Sequence, residues 1–233
     1  MNEMTDDIHQ MLFNDTVLKT IVEELSHLKL TPKDYVALAN ELLDKAINKT
    51  DNTLSPTPTY SIQKINLPIK LDTVTIKKFN YAGDVKLLKE WTSTEYGKEF
   101  LLSRIDNKEI TVDDLIKDKL NIFGVIESSG KEPIGVLGFL NHDKENNKAE
   151  LRKLIGNYDY KEKGLAKRAS AAWINYGISN LKLRKIYIYT YDTNIRNIRI
   201  NRELGFKLEG ILKEENIYNG EPRDIIRMAL IVK

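Results

Sequence analysis

The chain contains no cysteine and only three histidines, His9, His27 and His142. Without cysteine it has no disulfide bond, no thiolate-bound zinc and no cysteine nucleophile. The histidines are far apart in the sequence and do not match the short spacings at which histidines bind zinc. The sequence therefore predicts a protein that holds no metal.

The chain also lacks an excess of charge of one sign. It carries 36 Lys and Arg residues against 34 Asp and Glu residues, a formal net charge of +2. Proteins dedicated to nucleic acids normally carry a strong basic excess. The balance therefore argues against a nucleic-acid partner.

Long apolar runs are missing too. No stretch approaches the roughly 20 apolar residues that a membrane-spanning helix needs. The first ten residues include Asp6 and Asp7 and show no basic start followed by an apolar region, unlike a secretory signal peptide. These absences predict a cytoplasmic protein that does not bind a membrane.

Three regions follow one another along the chain. Residues 1–50 place apolar side chains at three- and four-residue steps and include Thr31-Pro32, a typical helix start, so we predict a helical extension. Residues 51–68 contain three prolines and are predicted to be a linker. Residues 69–233 mix strand-like and helical patterns and are predicted to form one domain.

Within this third region the hydrophobic pattern predicts strands and helices in alternation. Strands are predicted over 74–76, 122–127, 133–140, 149–155 and 185–190, with a closing hairpin over 206–218 and 223–232. Helices are predicted over 84–91, 95–102, 112–120, 164–180 and 194–204.

The most informative segment is a strand, a short loop and a helix over residues 149–180. Residues 161–167 read Lys-Glu-Lys-Gly-Leu-Ala-Lys at the predicted helix start. Backbone N–H groups there have no partner inside the helix, and small residues with nearby lysines let a phosphate approach. By itself the pattern fits either a diphosphate cradle or an ordinary solvated helix end. It is neither a P-loop nor the dinucleotide-binding fingerprint.

The pattern Lys161-x-x-Gly164-x-Ala166 resembles the Arg/Gln-x-x-Gly-x-Gly/Ala signature of the GNAT superfamily of N-acetyltransferases. Further on, Asn194 opens a predicted helix that ends in Gly-Phe before a strand, which resembles the second hallmark of that superfamily. The two motifs stand at the spacing of the family, and the resemblance covers residues 70–233.

The last part of the chain, with Asn219-Gly220 and Asp224, resembles the branch that includes ribosomal-protein alanine acetyltransferases. Two positions depart from the family pattern. Lys161 stands where Arg or Gln is usual, although a lysine still meets phosphate as a point charge. Asn201 stands where many members carry a tyrosine proposed as the general acid.

The resemblance implies an α+β fold of the GNAT type, a mixed and mostly antiparallel central sheet flanked by helices, with the N-terminal helical extension added. It also implies acetyl-CoA as the cosubstrate, no metal, and direct transfer of the acetyl group to a primary amine. A backbone N–H near the end of the strand before the signature would act as an oxyanion-hole donor. The residues predicted to bind the cofactor are Leu154, Ile155, Gly156, Lys161, Glu162, Lys163, Gly164, Leu165, Ala166, Lys167, Asn194, Asn197 and Arg202.

Two residues are predicted to move protons. Glu150 resembles the glutamate that some members use as a base, and a charge simply paired with Arg152 is the equal alternative. Tyr191 follows the neighbouring strand and is predicted to line the cleft or to donate to the leaving thiolate, with a half-buried strand tyrosine as the alternative.

The acceptor stays open among a protein N-terminus, an aminosugar, a polyamine and an amino acid. A second hypothesis for the whole protein is a non-catalytic acyl-CoA sensor whose N-terminal helices bind a partner, and a third is a cradle for another phosphorylated ligand. The apolar stripe of residues 1–50 is predicted to pack within the chain or across a homodimer.

Overall fold

The computed structural model describes residues 15–48, 58–94, 97, 111–218 and 220–232. The chain divides into two compact units, residues 1–46 and 47–233. The helix predicted over 95–102 lies outside the described residues except for residue 97. Within the described ranges no helix is long and apolar enough to cross a membrane.

The first unit contains helix α1 (Asp15–Ser26) and the start of helix α2 (Pro32–Asn48). Thr31 begins α2 as predicted, because its hydroxyl accepts from the Asp34 N–H at 3.4 Å and the Asp34 carboxylate accepts from the Thr31 N–H at 2.8 Å. This reciprocal pair is a capping box, which satisfies N–H groups that a helix start leaves unpaired.

The second unit contains one eight-stranded sheet in the order β1-β2-β3-β4-β5-β6-β8-β7. Its strands are β1 (Ile69–Lys70), β2 (Val74–Lys78), β3 (Ile122–Ser128), β4 (Pro133–Asp143), β5 (Lys148–Ile155), β6 (Lys185–Tyr191), β7 (Lys207–Tyr218) and β8 (Glu221–Ile231). All neighbours are antiparallel except β5 and β6, which are parallel.

Among the described residues, four helices of this unit pack on both faces of the sheet. They are α3 (Tyr81–Ser93), α4 (Val112–Lys117), α5 (Leu165–Asn180) and α6 (Ile195–Glu203). Side chains alternate between the two faces of a strand. On β4, Leu140 joins a cluster with Trp91 of α3, whereas the adjacent Phe139 stacks on Trp173 of α5 at 5.5 Å between ring centroids. The α+β architecture predicted from the sequence is therefore confirmed.

Residues 58–68, part of the segment predicted to be a linker, belong to the second unit and are hydrogen-bonded to its helices. The Tyr60 hydroxyl donates to the Leu204 carbonyl at 2.9 Å. The Asn180 side chain at the end of α5 accepts from the Ile65 N–H at 3.0 Å and donates to the Ile65 carbonyl at 2.7 Å.

Candidate active site

The site lies where two strands separate. The parallel pairing of β5 and β6 extends only over residues 148–150 and 185–187. Beyond these residues no ladder joins the strands, and a cavity of about 430 Å³ opens between them. Because unpaired backbone groups line such a gap, it can accept an extended polar ligand arm.

The cavity brings together residues from β5, the following loop, β6 and the starts of α5 and α6. Among the residues predicted to bind the cofactor or move protons, those that line it are Leu154, Ile155, Lys161, Glu162, Ala166, Tyr191, Asn194 and Asn197. The other predicted residues do not line it; they are Glu150, Gly156, Lys163, Gly164, Leu165, Lys167 and Arg202.

Gly164 ends the loop and caps α5 in the left-handed conformation, with φ of 73°, and no side chain satisfies the helix start. A Cβ atom added at Gly164 would meet no atom within 4 Å. The space beside Gly164 at the start of α5 is therefore open, and a helix start of this kind can hold a phosphate.

The lysines around this helix start have partners of different kinds. The Lys161 ammonium lies 4.6 Å from the centre of the Tyr158 ring, and the Lys163 ammonium lies 5.2 Å from that of Tyr160. Lys167 forms an ion pair of 2.5 Å with Glu203 of α6. Burial lowers the pKa of Lys161. Both ammonium groups lie over aromatic rings at the loop, where they can attract an anion.

The loop before α5 is fixed to the β3–β4 turn through Glu132. Its two carboxylate oxygens accept from the Asn157 side-chain amide and from the Tyr160 hydroxyl, each at 2.9 Å. A loop that carries a positively charged helix start is thus anchored to the sheet, which limits its movement.

The end of β5 has one N–H directed into the sheet and one directed away from it. The Gly156 N–H donates to the Ile134 carbonyl of β4 at 2.9 Å, so it is already engaged. Because backbone groups alternate in direction along a strand, the adjacent Ile155 N–H points away from β4 and toward the cavity. Gly156 has a packing role as well: an added Cβ would lie 2.0 Å from Cδ2 of Trp91.

The start of α6 forms the opposite wall. The Asn194 side chain accepts from the Asn197 N–H at 3.1 Å, which confirms the predicted helix cap. The Asn197 side chain in turn donates to the Thr190 hydroxyl on β6 at 3.1 Å. The contact between Asn197 and Thr190 fixes the start of α6, which is one wall of the cavity, to β6.

Glu150 and Tyr191 are both nearly enclosed. Glu150 has no exposed surface and pairs with Arg152 at 2.5 Å, the alternative considered from the sequence. It also accepts from the Asn141 amide at 3.2 Å. Tyr191 is 5% exposed, and its ring lies 5.1 Å from that of Tyr218.

Sequence reasoning missed Arg152 and Lys153 as lining residues. Arg152 spans the gap, since its guanidinium donates to the Tyr189 carbonyl of β6 at 3.4 Å. The Lys153 ammonium donates to Oδ1 of Asn201 on α6. The available signal was the alternation along β5, since Lys153 shares one face of the strand with Ala149, Leu151 and Ile155, where a hydrophobic side chain is the rule.

The cavity is rich in positive charge. Arg152, Lys153, Lys161 and Arg196 line it, and Glu162 is the acidic residue among the described lining residues. Glu162 is itself paired with Arg196. The arrangement suits a ligand with several phosphates.

The chain is similar to known proteins. A family model described as an acetyltransferase (GNAT) domain matches residues 72–207. Spermidine N(1)-acetyltransferase of Escherichia coli strain K12 is 31% identical over 148 residues, which are 64% of this chain and 75% of that protein.

Two solved structures have the same fold. Spermidine N-acetyltransferase from Vibrio cholerae in complex with CoA and spermine superposes with a TM-score of 0.58 at 23% identity, over 68% of this chain and 95% of that one. A dodecameric structure of the enzyme from the same organism gives a TM-score of 0.55 at 24% identity, over 68% and 93% of the two chains. These relatives support the superfamily predicted from the sequence without singling out its ribosomal-protein branch.

Proposed function

The chain belongs to the family of acetyltransferase (GNAT) domains, which makes it an acetyl-CoA-dependent N-acetyltransferase, and we propose that its acceptor is a primary amine of a polyamine such as spermidine. The observation that supports this acceptor is the 31% identity to a spermidine N(1)-acetyltransferase over three quarters of that enzyme's length.

For the cosubstrate we propose a definite path. The diphosphate of acetyl-CoA lies over the first N–H groups of α5, beside the open space at Gly164. The pantetheine arm then enters the gap between β5 and β6. This path directs the thioester toward the point where the two strands begin to pair.

At that point the thioester oxygen needs a donor, because negative charge develops on it as the amine attacks. The Ile155 N–H is the group we propose, since the Gly156 N–H is already engaged by Ile134. A fixed backbone donor aimed at a developing oxyanion lowers the barrier without reorganisation.

The amine must lose a proton during the reaction, because an alkylammonium has a pKa of about 10.4. Glu150 and Tyr191 stay predictions for proton transfer. The enclosure of Glu150 by Arg152 and Asn141 supports a structural role, and the variants described in the Discussion separate the two roles.

The experiment measures CoA release with a thiol reagent against a panel of amines. The panel contains spermidine, spermine, an aminoglycoside and a peptide that begins with alanine. We expect kcat/KM for the polyamines to exceed that for the peptide by at least about tenfold, roughly the discrimination that a few specific contacts supply. A preference for the peptide would overturn the polyamine proposal in favour of a protein N-terminus.

We further propose that the chain associates with copies of itself, the homodimer considered from the sequence being the simplest form. The dodecameric assembly of the Vibrio cholerae enzyme supports self-association. Sedimentation velocity at several concentrations tests it, and a single monomeric species at all of them would contradict it.

A further inference from the structure

We propose that Lys153 is the acid that protonates the sulfur of coenzyme A as the thioester bond breaks. The proposal rests on the acetyl transfer proposed above. It concerns a side chain that the sequence motifs do not include and that the geometry of the cavity singles out.

Position is the first reason. Lys153 lies on β5 beyond the last residue that pairs with β6, so it faces the gap and lines the cavity. Its neighbour on β4 is Leu137, which has no exposed surface. Lys153 thus lies beside a buried apolar residue, and its side chain lines the space that the pantetheine arm is proposed to occupy.

A fixed hydrogen bond is the second reason. The ammonium donates to Oδ1 of Asn201 on α6, a residue with no exposed surface. The amide group of Asn201 in turn lies 4.0 Å from the sulfur of Met228. Asn201 therefore fixes the position of the ammonium. Because a side-chain amide does not titrate, Asn201 itself cannot act as the acid.

Charge is the third reason. Among the described residues no carboxylate pairs with Lys153, and the nearby charged group that acts on it is Arg152 of the same strand. Burial, with the Arg152 charge added, lowers the pKa of Lys153 to about 7. Near neutral pH the group can thus both give a proton and recover one.

Three charged residues on the adjacent helix are engaged with other side chains. On α6, Glu203 pairs with Arg199 at 3.3 Å and with Lys167 at 2.5 Å, and Arg196 pairs with Glu162. On β8, Arg227 pairs with Glu209 at 3.1 Å. The charged group that acts on the pKa of Lys153 is Arg152, and the hydrogen-bond partner of its ammonium is the neutral amide of Asn201.

The bonds, electrons and protons of the proposed step are accounted for as follows. The amine nitrogen bonds to the carbonyl carbon, the C–S bond breaks, and its electron pair stays on sulfur. A proton moves from Nζ of Lys153 to that sulfur. The alkylammonium loses two protons to solvent as it becomes an amide, and Lys153 recovers one proton from solvent, so that one proton is released overall. A thiol has a pKa of about 8.5, so transfer from a group of pKa about 7 is downhill, whereas an ordinary lysine near 10.4 is a weaker acid than the thiol.

The other titratable side chains that line this part of the cavity suit the task less well. Burial raises the pKa of the Tyr189 phenol, which makes it a weaker donor at neutral pH. Tyr191 is 5% exposed and packs against Tyr218. An acid works best when its pKa lies near the operating pH, which favours Lys153.

Three variants test the proposal. Lys153→Met removes the ammonium, and Lys153→Arg keeps the charge but releases its proton only far above neutral pH. Lys148→Met is the matched control on the same strand, where Lys148 pairs with Asp143 at 3.5 Å. The measurement is kcat against pH with saturating acetyl-CoA and spermidine, together with calorimetric binding of CoA.

We expect kcat of the wild type and of Lys148→Met to fall as the pH rises above about 7, because the acid must be protonated. Lys153→Met and Lys153→Arg should both lose about 100-fold in kcat and lose that limb of the profile. CoA affinity should change little. Equal kcat and an unchanged profile in both variants would overturn the proposal. So would a loss confined to CoA affinity, which indicates a binding role.

A measurement without any amine separates this proposal from the proposed acceptor. Side-chain NMR of the wild type labelled at lysine should give one signal, absent in Lys153→Met, that titrates near pH 7 and shifts when CoA is added. A Lys153 signal that titrates like the other lysines, or that ignores CoA, would overturn the proposal even if polyamines are acetylated. If that signal behaves as expected but no polyamine is acetylated, the acceptor is wrong, and the role of Lys153 is tested by the same kcat profiles with whichever amine of the panel is acetylated.

Discussion

Nη2 of Arg152 lies 2.5 Å from Oε1 of Glu150, and the two side chains are 4% and 0% exposed. They occupy the same face of β5 two residues apart, as alternation along a strand requires. The guanidinium also reaches the Tyr189 carbonyl across the gap. The pair therefore supports the strand at the point where β5 and β6 separate.

The first prediction concerns this pair. Glu150→Gln leaves the Arg152 charge buried without its partner, which typically costs about 3 kcal/mol. We expect the free energy of unfolding in urea to fall by about that amount. The double variant Glu150→Leu with Arg152→Met should recover most of the loss, since an apolar pair needs no compensation.

The same variant separates a structural role for Glu150 from a catalytic one. If Glu150→Gln unfolds at the urea concentration of the wild type but loses 100-fold or more in kcat, roughly what a lost general base costs, then Glu150 is the base. We expect Glu150→Gln to lower the free energy of unfolding, which indicates a structural role for Glu150.

The second prediction concerns the cradle at the start of α5. Gly164→Ala adds a methyl group in the open space where the phosphate is proposed to lie, at a φ of 73°. We expect the Kd for CoA to rise about tenfold, equivalent to about 1.4 kcal/mol, in a calorimetric titration.

Gly220→Ala is the matched control, because Gly220 has a φ of 82° and the same open surroundings in the β7–β8 hairpin. Both variants should lose about 1 kcal/mol of stability to the left-handed backbone. An equal loss of CoA affinity in both would count against a cradle at Gly164.

The third prediction concerns the contact between Gly156 and α3. A methyl group at this position would lie 2.0 Å from the Trp91 ring, so Gly156→Ala must displace the ring or the strand end. We expect a loss of about 1–3 kcal/mol in thermal unfolding. Gly130→Ala is the control, since its added methyl group would meet only Ser128 Oγ at 3.6 Å. Equal unfolding temperatures for the two variants would contradict the packing.

The fourth prediction follows from the low pKa of Lys153. In the native protein the group has a pKa of about 7, against about 10.4 in the unfolded chain, so between these values the unfolded state holds more protons. The contribution of Lys153 to the free energy of unfolding is therefore least favourable below pH 7 and becomes more favourable as the pH rises toward 10.

Lys153→Met removes that contribution, so the variant should be more stable than the wild type at pH 6–7, by roughly a few kcal/mol. The difference should shrink toward zero near pH 10. Urea unfolding at several pH values measures it. A constant difference across the range, or a less stable variant at pH 6, would contradict the native environment of Lys153 described above.

Local patterns predicted much of the fold. The helix expected over 164–180 is α5, Leu165–Asn180, and the strand expected over 185–190 is β6, Lys185–Tyr191. The helix expected over 112–120 ends earlier, at Lys117, where Asp118 takes an extended conformation. Periodicity and caps act over a few neighbouring residues, which is why the sequence alone could place these elements.

The cavity could not be predicted in the same way, because it depends on where two distant strands stop pairing. The sequence of β5 contains no local pattern that predicts the end of its ladder with β6 at Glu150. The meeting of Lys153 with Asn201 also joins residues 48 positions apart. Sequence motifs predicted the end of the site where the phosphates are proposed to lie, whereas the groups deep in the gap required the tertiary structure.

We propose that α5 holds the diphosphate of acetyl-CoA and that the gap between β5 and β6 holds its pantetheine arm. A crystal structure of the full chain with CoA is the decisive experiment. We expect density for the diphosphate against the amides that follow Gly164 and density for the sulfur beside Lys153. Density for CoA at any other surface, with the gap filled by the protein's own side chains, would show that this binding mode is wrong.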